Sequence, residues 1–62
     1  MKRKELEAQI GQIAKDRGMP AIYKEGGNHT RVQIGPDVTF IPRHREIRES
    51  LAKDILAILK GA

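Results

Sequence analysis

A chain of 62 residues, 39% hydrophobic and 32% charged, fits one small domain whose thin core excludes the deep pocket that encloses a small metabolite. It has no cysteine and a net charge of +4, which excludes disulfides, thiolate metal sites and cysteine nucleophiles and favours phosphate-rich or acidic partners. Met1 runs into Lys2-Arg3-Lys4-Glu5 with no apolar stretch behind it, so neither a signal peptide nor a membrane span is expected and the cytoplasm is the expected compartment.

In the first segment Leu6, Ile10, Ile13 and Ala14 recur at helical spacing, and charged residues fill the opposite face. Gly18 and Pro20 stop the pattern, because glycine accepts the left-handed position after a helix and proline cannot continue the ladder. The spacing predicts helix one over 2–17, with Lys2, Arg3 and Lys4 as its solvated, fraying start. Lys15, Arg17, Lys53 and Lys60 read as ordinary helix surface.

The middle third changes character. Runs at 21–24, 29–34 and 38–41 hold β-branched and aromatic residues, and Gly26-Gly27-Asn28 and Gly35-Pro36-Asp37 separate them, which predicts a three-stranded antiparallel meander. In the second strand Thr30, Val32 and Ile34 alternate with His29, Arg31 and Gln33, so the pleat sends the two sets to opposite faces. His29 and Arg31 are expected together on the solvent face.

After Pro42 a helical period returns through Ile47, Leu51, Ile55, Ile58 and Leu59, closed by Gly61, which predicts helix two over 45–60. Glu46 would then complement the dipole of its first turn. The expected fold is α+β, an α-β-β-β-α order with a three-stranded antiparallel sheet and both helices on one face.

His29 sits in Lys24-Glu25-Gly26-Gly27-Asn28-His29-Thr30-Arg31, an imidazole beside cations and beside glycines that permit a tight turn or close approach of a ligand. With Lys24, Arg31, Arg43, His44, Arg45 and Tyr23 it supplies the residue types of metal-free RNA cleavage. Such cleavage needs a base for a ribose 2′-hydroxyl, an acid for the departing 5′-oxygen and cations on the phosphorane. The plainer alternative is a hairpin turn with a polar residue at a strand start. At 43–45 phosphate binding and solvated surface stand equal, since an anion is welcome at a helix N-terminus. His29 and His44 lack a carboxylate cluster or an H-E-x-x-H spacing for a metal, and Ser50 has no nucleophile-elbow context.

Glu25-Gly26-Gly27-Asn28-His29-Thr30, Ile41-Pro42-Arg43-His44, and Ile47, Leu51-Ala52 and Ile55-Leu56 resemble, in order and spacing, the HicA family of toxins. The resemblance spans nearly the whole chain. It implies a fold like the double-stranded RNA-binding domain and a metal-independent mRNA interferase of a toxin-antitoxin pair. It further implies His29 as the catalytic residue, no cofactor, and mRNA and a HicB-like antitoxin as partners. Gly26, Gly27 and Asn28 match the family's glycine-rich turn, and Arg43 and His44 fall in a recurring segment, with His44 a secondary candidate. A small basic RNA-binding module without catalysis is the competing expectation.

Overall fold

The computed structural model describes residues 1–61. Helix α1 (Arg3–Arg17) is followed by strands β1 (Ala21–Glu25), β2 (His29–Ile34) and β3 (Asp37–Pro42), and helix α2 (Glu49–Lys60) closes the order. The strands form one antiparallel sheet in the order β1-β2-β3. The α+β architecture expected from the periodicities is the observed one.

Alternation in β2 divides the molecule as expected. Thr30, Val32 and Ile34 are fully buried, whereas His29 is exposed. Ile41 joins them from β3, and Leu6 and Ile10 from α1 and Ile55 and Leu59 from α2 complete the centre of the core. At roughly 1.5–3 kcal/mol per fully buried Leu, Ile or Val, these side chains hold both helices against one face of the sheet.

α1 ends where its glycine sits. Gly18 takes the left-handed conformation, φ 66°, and the backbone N–H groups of Gly18 and Met19 donate to the carbonyls of Lys15 and Ala14. The start of α1 is bonded to residues 45–47, through a bridge between Lys2 and Glu46 and backbone bonds from Arg3 N to the Arg45 carbonyl (2.9 Å) and from Ile47 N to the Met1 carbonyl (2.7 Å).

This pairing corrects the predicted helix two. α2 begins at Glu49, not at residue 45, because the backbone groups of 45–47 are already bonded to the first residues of the chain. Ile47 still reaches the core, but from the irregular segment before α2. The buried face of α2 is Ala52, Ile55, Leu56 and Leu59, while Ile58 is largely exposed at its rim. Glu46 lies outside the helix and pairs with the Met1 amino group at 3.4 Å, as Glu49 does at 3.0 Å.

At the opposite end of the sheet, Arg17 is a tie and not ordinary surface. Its guanidinium pairs with Asp37 at 2.9 Å and donates to the Leu59 carbonyl, joining the ends of both helices to the start of β3. Gly61 beside it has φ 75°, and a Cβ there would meet Arg17 Nη2 at 2.9 Å. Glycine both ends α2 and leaves room for the pair.

Candidate functional site

The face of the sheet opposite the helices is set by strand register. Lys24 pairs with Arg31 and Arg31 with Phe40, so these three side chains form a row across β1, β2 and β3. His29, paired with Pro42, follows in the next row on the same face, about 7 Å along β2 from Arg31. Ile22, Gln33 and Val38 make the row on the other side.

Around His29 the surface is hollowed. Lys24, Glu25, Gly26, Gly27, Asn28, His29, Arg31 and Phe40 line a cavity of 370 Å³. The structure therefore brings Lys24, Gly27, Asn28, His29 and Arg31 into one place. Lys24, Asn28 and His29 are exposed, as groups that meet a dissolved polymer must be. Arg31 Nη1 donates to Gln33 Oε1 (3.1 Å), whose amide donates to the Gly35 carbonyl (2.8 Å). That chain orients the guanidinium along β2 and leaves most of its five donors available.

The turn that carries His29 is secured from below. Gly26 N–H donates to the His29 carbonyl at 3.0 Å. Glu25 accepts from the Thr30 hydroxyl at 2.8 Å and pairs with Arg43 at 2.9 Å, and Arg43 also donates to the Gly26 carbonyl. Arg43 thus has its guanidinium committed to the turn. Its place in the site is to hold the backbone before His29, in addition to any contact with phosphate.

Neither Gly26 nor Gly27 has positive φ, so the tight-turn reason for glycine fails at both. A Cβ at Gly26 would approach the His29 carbonyl at 3.2 Å, whereas one at Gly27 would meet nothing within 4 Å. The fold itself makes no demand for glycine at 27. What a side chain there would occupy is the space of the hollow.

His44 and Arg45 are elsewhere. With Lys2, Arg3, Lys4, Glu7, Arg43 and Glu46 they line a second, larger hollow of 680 Å³ where the non-helical 43–46 segment passes the start of α1. They do not precede a helix N-terminus directly, as the sequence suggested, because α2 starts later. Lys2 and Lys4 are exposed, as expected, and with Arg3 they join this basic surface. Arg3 is the most engaged: it pairs with Glu7 at 2.9 Å and donates to Thr30 Oγ1 at 2.9 Å.

Tyr23 leaves the candidate set. Its register partner is the buried Val32, so it lies on the helix side of the sheet. Burial there raises its phenol pKa above the usual 10.0, and the nearby Glu7 carboxylate adds to the rise. Phe40 enters the set. It is 56% exposed beside Arg31 in the hollow of His29, a position its sequence neighbours announce only through the alternation of Thr39 and Ile41 inward.

Among the described residues no group of three or more His, Asp or Glu is placed to hold a metal ion, and no helix is long and apolar enough to cross a membrane. No protein-family model, curated protein or solved structure matches the chain.

Proposed function

We propose that this chain is a HicA-like mRNA interferase that cleaves single-stranded RNA through His29. The carrying observation is an exposed imidazole in one hollow with Lys24, Arg31 and Asn28, on the sheet face that no helix covers. In this reading the ring takes the proton of a ribose 2′-hydroxyl, the 2′-oxygen bonds to the adjacent phosphorus, and the bond to the 5′-oxygen breaks. The imidazolium returns the proton to the leaving oxygen, so the products are a cyclic phosphate and a 5′-hydroxyl end. Lys24 and Arg31 offset the charge that grows on the phosphorane, while Gly27 and Asn28 leave the backbone open to the strand.

One positioned acid-base group contributes about 10² to 10⁴-fold, so turnover is slow. A HicB-like antitoxin would restrain the enzyme by docking on the same basic surface, with complementary charge speeding the encounter. The test incubates single-stranded RNA with wild type and His29→Ala in excess chelator. Cleavage by wild type alone is expected; equal cleavage by both, or none by folded wild type, overturns the proposal.

One observation favours a second reading, an RNA-binding module without catalysis. The polar contacts of the hollow are made by Arg31, Glu25 and Arg43, and the second histidine lines the other hollow. A catalytic imidazole is commonly oriented by a partner. In that case RNA is bound, returned intact, and held nearly as well by His29→Ala.

A further inference from the structure

We infer that Phe40 is a stacking platform for one unpaired nucleobase, placed beside the cations that take the flanking phosphates. The inference rests on the reading of this face as an RNA surface and adds what selects an unpaired strand. Phe40 is the only phenylalanine of the chain, and it is spent on the face away from the core, 56% exposed. A core of aliphatic side chains packs without it, and its ring is presented to solvent from the middle of a strand.

Its surroundings define the ligand. Arg31 is its direct register partner, Lys24 is next in the row, and all three line the hollow of His29. Directly opposed side chains on neighbouring strands have Cβ atoms about 5 Å apart, so a planar group lying on the ring comes within reach of the Arg31 guanidinium. The one carboxylate of the hollow, Glu25, is already bonded to Arg43 and Thr30. The free charge around the ring is therefore positive, and a polyanion of repeating phosphates that carries flat bases complements it.

A base inside a duplex has both faces stacked and cannot lie on a side chain, whereas a base in a single strand can. Phe40 thus discriminates against paired RNA by chemistry separate from proton transfer. It acts on substrate affinity and leaves His29 in place.

The experiment measures binding of a short single-stranded RNA carrying 2-aminopurine, in the His29→Ala background so that the probe survives, with the same RNA in a blunt duplex as comparison. The parent is expected to bind the single strand in preference to the duplex, with fluorescence quenched by the ring. Phe40→Leu should lose the quenching and weaken binding by about 5- to 150-fold, and Phe40→Tyr should restore both. Unchanged affinity and quenching in Phe40→Leu overturn the inference while cleavage by wild type still stands. Equal binding of duplex and single strand also overturns it. Phe40→Leu that keeps its RNA affinity but loses a co-expressed protein partner overturns it as well, assigning the ring to a protein contact. If RNA is neither bound nor cleaved by folded wild type, the functional reading itself fails, and the platform with it.

Discussion

Two basic hollows lie among the described residues, and the proposed function places the chemistry in the smaller. The hollow beside the start of α1 has 680 Å³ and gathers Lys2, Arg3, Lys4, Arg43, His44 and Arg45, but it also contains Glu7 and Glu46 and no Phe, Tyr or Trp. The hollow beside the β1–β2 turn has 370 Å³, fewer cations, a phenylalanine, an open glycine and an exposed histidine. Charge density attracts a polyanion to either. In both the carboxylates are paired, Glu7 with Arg3 and Glu46 with the Met1 amino group in the first and Glu25 with Arg43 in the second; what separates them is the phenylalanine that lies beside the cations of the second.

The comparison breaks most visibly at the histidines. His29→Ala should lower RNA cleavage by about 10² to 10⁴-fold, while His44→Ala should leave it within a few-fold, read by single-turnover gel assays. The reverse pattern would move the chemistry to the other hollow. Next comes Thr30→Val, at a buried residue bonded to one lining residue of each hollow. Its fully buried hydroxyl accepts from Arg3 and donates to Glu25, and removing it leaves both partners short of a bond, at a cost of about 1–3 kcal/mol in denaturant melts.

Salt dependence sharpens the comparison further. If Lys24 neutralises one phosphate, Lys24→Ala should reduce the slope of log affinity against log salt by about 0.7 for single-stranded RNA; Lys4→Ala should change it less. Gly27→Ala has a smaller reach. With no neighbour within 4 Å of the added methyl, stability should stay within about 0.5 kcal/mol, and only RNA affinity should fall. Equal RNA affinity in this variant would show that the ligand does not approach the turn closely.

The smallest expected effect is alkaline. The Met1 amino group has its pKa raised above 8.0, chiefly by its bond to Glu49 with Glu46 adding, and Tyr23 has its pKa raised above 10.0 by burial. Both hold a proton more tightly folded than unfolded, so their stabilisation is complete below pH 8 and falls as pH rises through the two folded values. A gradual loss of melting temperature from pH 8 to 11 is expected, and a rise would contradict it.

Much of this arrangement was legible in the chain, and the failures share a cause. The alternation about Val32 placed His29 and Arg31 on the open face because a strand's period is local. The start of α2 is not legible locally, because the bonds that keep 45–47 out of the helix come from residues 1–3, far away in sequence. Arg17 looked like solvated surface for the same reason: its partners are Asp37 and the Leu59 carbonyl. Phe40 was passed over because β3 offers apolar side chains to both faces, Val38 and Phe40 outward and Ile41 inward, so hydrophobicity did not reveal the wet side.

The Arg17–Asp37 tie stands at the end of β2 and β3 remote from His29, beside Gly61. The molecule is therefore a tool with a handle. Substitutions at the tied end can harden or soften the scaffold over a range of melting temperatures while the turn end keeps its chemistry. On the proposed RNA-cleaving reading, a series of such variants would separate the effect of folded-state lifetime from that of the groups around His29.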